Sequence, residues 1–155
     1  TACDNVLLLA GHQALVLGGS RGLGELAAKA LAAGGAEVVI TFRSGALDAA
    51  RVVDEIVAAG GACRAVRAEA DDAPGLVAAL QGWRPSHLYY FPTPRIGRQA
   101  GGAFDQELYA EFHRVYVTGF SAIVAAVAGD GRGGSEVGHG RFSSGMMGSG
   151  SVAGP

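Results

Sequence analysis

The sequence of 155 residues predicts an α/β domain, a parallel sheet wound on both faces by helices. Three observations predict it. Short apolar runs alternate with longer segments of helical spacing, and glycine marks most of the junctions. The first apolar run is also continuous, as a strand buried on both faces should be.

The first strand falls at residues 14–17, an apolar run after the turn-like Gly11-His12. Residues 18–24 are glycine-rich. Residues 25–33, rich in Ala and Leu, read as the first helix, which Gly34-Gly35 stops. Residues 37–42 are dominated by β-branched side chains and read as the second strand. Leu47, Val52, Val53, Ile56 and Val57 have helical spacing within residues 47–59, and Gly60-Gly61 ends that helix. Residues 62–68 alternate, with Ala62, Arg64, Val66 and Ala68 sharing one face of a third strand. A third helix follows at 74–81 and a fourth strand at 87–91. Pro92 and Pro94 end that strand, since proline has no N–H for a central ladder. Residues 104–127 read as one long helix or two in succession, broken near Gly119.

Composition narrows the function classes. With 49% hydrophobic and 17% charged residues, the body can bury a core and is not a disordered chain. No apolar run approaches the roughly 18–20 residues of a membrane helix, so no membrane partner is expected. Twelve basic and fourteen acidic residues are scattered for a net charge of −2, without the basic stripe that nucleic acid demands. Cys3 and Cys63 are too few for a disulfide framework or a zinc site. His12, His87, His113 and His139 lie far apart along the chain, and no metal site is expected. No basic segment precedes an apolar core and cleavage site, so a cytoplasmic location is expected. Glycine is the abnormal count: 26 residues, ten of them between positions 129 and 155, where periodicity is lost.

Chemistry concentrates in Leu17-Gly18-Gly19-Ser20-Arg21-Gly22-Leu23-Gly24, between the first strand and the first helix. The N–H groups and positive dipole end of a helix N-terminus bind pyrophosphate. Gly18 suits a tight turn, Gly22 the close approach of a cofactor, and Gly24 the packing of helix on strand. The alternative is a plain tight turn. A dinucleotide-binding domain is therefore expected at 1–129, with an irregular Gly/Ser-rich tail at 130–155.

An NAD-binding strand normally ends in an acid that accepts from the ribose 2′-hydroxyl. Here the second strand ends Thr41-Phe42-Arg43-Ser44. Arg43, with Arg21, can instead clamp a 2′-phosphate through planar guanidinium bonds, with the Ser44 hydroxyl beside them. NADP(H) is thus expected over NAD(H), the alternative being two solvated surface arginines.

The spacing Gly-x-x-x-Gly-x-Gly and the string "GGSRGLGE" resemble the short-chain dehydrogenase/reductase family. "AEVVITFR", "AGGACRAVRAEADD" and "VYVTGF" fall where that family carries its second strand, third strand and fifth-helix motif. The resemblance covers about Ala14 to Ala128 and implies an NAD(P)-binding Rossmann fold, here an incomplete or divergent one that stops after the fourth or fifth strand. It implies Gly18, Ser20, Arg21, Gly22, Leu23 and Gly24 at the phosphates and hydride exchange with a small carbonyl or alcohol. It also implies Glu69 at the adenine, although Glu69, Asp71 and Asp72 serve equally as helix N-caps before Pro74. Homo-oligomers built on the fourth and fifth helices are a further implication.

The match departs from the family in three places. Tyr89-Tyr90-Phe91-Pro92 stands where the family has Asn-Asn-Ala-Gly, and Tyr116 where it has a structural Asn. The family's catalytic Tyr has a Lys four residues later, which lowers its pKa; here Lys29 is the only lysine, and it falls in the first helix pattern as a buried position. Ser151, in Ser151-Val152-Ala153-Gly154, resembles the family's post-strand serine and is the one catalytic candidate. Either the chain stops ahead of its catalytic half, or residues 131–155 are a displaced reading frame or a disordered segment. On both readings this chain alone is expected to be inactive, and a non-catalytic NADP(H)-binding or sensing module is the alternative function.

Overall fold

The computed structural model describes residues 8–94 and 105–128. Four strands, β1 (Gln13–Leu17), β2 (Glu37–Phe42), β3 (Ala62–Arg67) and β4 (His87–Tyr90), form one parallel sheet in the order β3-β2-β1-β4. Helices α1 (Gly22–Ala33), α2 (Ala46–Ala58) and α3 (Ala73–Leu80) make the crossovers.

Successive strand residues point to opposite faces, and both faces of the central strands are covered, which is why β1 and β2 read as near-continuous apolar runs. Ala14 and Val16 of β1 join Val38 and Ile40 of β2 under α1 and α2, where Ala28, Val52 and Ile56 close the layer. Leu15, Leu17 and Val39 point the other way, onto Leu76 and Leu80 of α3 and onto Ile123. Edge strand β3 divides similarly, Cys63 and Ala65 packing on the first layer and Val66 on the second. Burial pushes the Cys63 thiol up to about 11, so it is inert as a nucleophile at neutral pH.

The observed bounds correct several expectations at their ends. α1 begins at Gly22, three residues early, because the glycine loop itself turns into the helix. The third and fourth strands stop at Arg67 and Tyr90, and α2 and α3 each lie one residue earlier than expected. The last segment is not broken near Gly119. Helix α4 (Gln106–His113) passes through a π-helical turn, Arg114–Gly119, into α5 (Phe120–Ala128). Gly119 is buried where a Cβ would stand 2.5 Å from the Ala70 carbonyl oxygen, so it permits close packing on the loop after β3. The pairing of β1 with β4 also joins two histidines far apart in sequence: His12 and His87 stack with centroids 4.4 Å apart. The expected tail at 130–155, with Ser151, lies outside the described residues, as does the expected helix start at 104.

Candidate functional site

Where β1 feeds a crossover to β2 on one side and pairs with β4 on the other, the connections diverge and leave a crevice at the carboxyl ends of the strands. A cleft of about 680 Å³ occupies this place. Gly18, Ser20, Arg21, Gly22, Leu23, Gly24, Arg43, Ser44 and Glu69 all line it.

The glycine loop is built from both sides. Thr41 is buried near the end of β2; its Oγ1 accepts from the Gly18 N–H at 3.1 Å, and its carbonyl accepts from the Gly19 N–H at 3.1 Å. Gly24 lets α1 seat on the strand end, since a Cβ there would lie 2.3 Å from the Gly18 carbonyl oxygen. Gly22 is different: it has φ +59°, and a Cβ on it would meet nothing within 4 Å. Its missing side chain leaves cleft volume and not packing space. The N-cap, Arg21, is extended and its side chain gives the helix no capping bond. The first-turn N–H groups of α1, which lack acceptors inside any helix, therefore lie along the cleft with the positive end of the dipole.

A second wall follows β2. Arg43 and Ser44 are exposed, and the Arg43 guanidinium has no partner among the described residues. Arg21 reaches toward the same wall, its Nη2 lying 3.6 Å from Oδ2 of Asp48 in the first turn of α2.

The loop after β3 separates three acids that the sequence left equivalent. Asp72 caps α3, its carboxylate accepting from the Gly75 N–H at 2.9 Å. Asp71 pairs with Arg114 Nε at 3.0 Å. Glu69 alone keeps its carboxylate without a bonding partner among the described residues, on the cleft.

The π-helical turn forms the last wall. The Tyr90 hydroxyl donates to the Val115 carbonyl at 2.6 Å. Burial, reinforced by the Asp71 carboxylate, pushes the Tyr90 phenol up to about 12, so it stays protonated at neutral pH. Arg114 and Tyr116 line the cleft from the same turn.

Lys29 corrects an expectation. It is not buried: a third of its side chain is exposed, and Nζ pairs with Glu25 at 2.6 Å and Glu55 at 2.5 Å between α1 and α2. Arg51 joins the same two carboxylates, each at 2.8 Å. Long polar side chains on an Ala-rich helix satisfy their charges at its edge. Thr41 and Arg114 escaped sequence reasoning. Thr41 left one signal, a lone hydroxyl in the apolar strand 38–42, whereas Arg114 left none because its partner is 43 residues away.

No family model matches the chain. An uncharacterized oxidoreductase of Methylorubrum extorquens is 47% identical over 74 residues, 46% of this chain and 30% of that protein. A short-chain dehydrogenase/reductase variant from Serratia marcescens superposes with a TM-score of 0.68 at 25% identity, over 78% of this chain and 51% of that one. Over its described body, this chain is similar in sequence and fold to short-chain dehydrogenase/reductases. A third match within the family is a short chain dehydrogenase from Burkholderia cenocepacia in complex with NADP, with a TM-score of 0.67 and 30% identity, over 78% and 51% of the two chains. The chain thus spans about half the length of the solved short-chain dehydrogenase/reductases it matches. Among the described residues no helix is long and apolar enough to cross a membrane.

Proposed function

We propose that the cleft binds NADP(H), in preference to NAD(H), as the cofactor site of a short-chain oxidoreductase acting on a carbonyl or alcohol. The observation that carries this reading is the uncapped N-terminus of α1 on the cleft, beside the uncommitted Arg43. The residues present fit the group. Gly22 leaves open space at the helix start, and the backbone of Ser20 to Gly24 would hold the pyrophosphate. Arg21, Arg43 and Ser44 would take the 2′-phosphate, because a planar guanidinium matches a phosphate face and no acid ends β2. Glu69 would accept from the adenine. The Burkholderia cenocepacia relative, solved with NADP, supports the cofactor class.

Bound nicotinamide would supply hydride exchange, while the described residues would hold the pyrophosphate, 2′-phosphate and adenine. Among them no tyrosine is paired with a lysine four residues on, the arrangement that would match a phenol to proton transfer at a carbonyl oxygen. Lys29, the one lysine, is committed to two glutamates. This chain by itself therefore binds cofactor without normal turnover. That favours, as a second reading, a non-catalytic NADP(H)-binding or sensing module, and hydride exchange with a panel of carbonyls distinguishes the two.

Calorimetric titration of the chain with NADPH and, separately, NADH tests the cofactor reading. Tight NADPH binding with NADH at least about tenfold weaker is expected, the factor that roughly 1.4 kcal/mol of phosphate contact gives. Equal affinities would remove the Arg43 assignment, and no binding to either would remove the site.

A further inference from the structure

We infer that Asp48 is an internal competitor for Arg21, standing where the 2′-phosphate would draw the same guanidinium, and so sets how strongly the cleft prefers a 2′-phosphorylated nucleotide. The inference rests on the cofactor reading above.

Two cations flank this wall of the cleft, and they are in different states. Arg43 has no partner among the described residues, whereas Arg21 is drawn to Asp48 at 3.6 Å. Gly45 makes that reach possible, because a Cβ on it would meet Arg21 Nη2 at 2.7 Å and Asp48 Oδ2 at 3.1 Å. Gly45 is also the N-cap of α2 and provides no side-chain capping bond. The Asp48 carboxylate therefore lies beside a helix start that is itself suited to an anion. A dianionic phosphate approaching Arg43 and Ser44 would meet Arg21 as a cation already shared.

The pair is solvent-exposed, with 67% and 46% of the two side chains accessible, so its strength is modest and Arg21 can exchange partners. Asp48 is a positioning residue here: it acts on the ligand through Arg21. Weak pairing of this kind tunes discrimination without abolishing binding. A nucleotide without the 2′-phosphate makes no demand on Arg21 and is indifferent to Asp48.

The test uses the full chain and its D48N and R21M variants, titrated with adenosine 2′,5′-bisphosphate and with AMP. The bisphosphate needs only the adenosine side of the cleft. D48N should tighten the bisphosphate about two- to fivefold, the range open to an exposed ion pair, and leave AMP unchanged. In an R21M background the D48N gain should vanish, because no shared guanidinium remains. Unchanged or weaker bisphosphate binding in D48N overturns the inference, as does a gain that persists without Arg21, which would be a general charge effect. If the parent chain does not prefer the bisphosphate over AMP, the cofactor reading itself fails. The two failures are therefore distinct. Far-UV circular dichroism checks that each variant is folded.

Discussion

Helices α1 and α3 both start beyond the carboxyl ends of strands, yet their N-termini are finished in opposite ways. At α3 the chain closes its own helix: Asp72 accepts from Gly75, and Pro74 removes a first-turn donor that would otherwise be orphaned. At α1 nothing of the kind occurs. Arg21 gives no capping bond, and glycines at positions 22 and 24 keep side chains out of the helix start. The same backbone requirement is met by a side chain in one place and by none in the other. The lack of a side-chain cap is not peculiar to α1, since α2 also starts at Gly45 without one; what sets α1 apart is the glycine loop that lines the cleft around its start.

The largest effect is expected at the open end. Gly22→Asp puts a carboxylate into the space where pyrophosphate would lie, and NADPH binding should weaken by roughly a hundredfold or more, as about 3 kcal/mol of repulsion and lost contact implies. Calorimetry checks it, with circular dichroism unchanged; normal affinity would mean that the loop is a bare turn.

Gly24→Ala tests whether the open end depends on close seating of α1. Its methyl would press on the Gly18 carbonyl, a backbone group with little room to move. Overpacking of this kind should cost about 1–3 kcal/mol in urea unfolding. Full stability would show that the contact relaxes freely.

Asp72→Ala acts on the closed end. It should lower stability by about 1 kcal/mol through loss of the cap and leave NADPH affinity unaltered. A change in affinity larger than the change in stability would erase the distinction between the two helix starts.

The smallest effect concerns the brace behind α1. The Arg51 guanidinium and the Lys29 ammonium bond the Glu25 carboxylate and lower its pKa from 4.5 to about 2. A carboxylate depressed in the folded state adds stability that is present above the unfolded value and lost as pH falls through the folded one. The Tm should therefore decline between pH 4.5 and 2 in excess of the Glu25→Gln variant, whose curve should be flatter across that window. Parallel curves would show the brace to be energetically silent.

Much of this was legible in the sequence because it is local. β2 was read at its observed bounds from β-branched residues 37–42, and the glycine loop from its spacing between a strand and a helix. Where the reading missed, a second element had intervened. The π-helical turn at Arg114–Gly119 depends on Tyr90 bonding to Val115 and on Gly119 meeting Ala70, contacts 25 and more residues apart. The position taken as buried for Lys29 was set by α2, whose Glu55 and Arg51 drew the network to the surface.

The sequence by itself determined the alternation of strands and helices, the place of the loop and the absence of an acid after β2, since periodicity and glycine spacing act within a few residues. Tertiary structure alone decided which of Glu69, Asp71 and Asp72 stays available on the cleft, that Thr41 holds the loop, and that Arg21 is shared while Arg43 is not. Those outcomes depend on side chains competing for partners across different elements, and only the folded arrangement of β2, α2 and the π-helical turn fixes which partner is within reach.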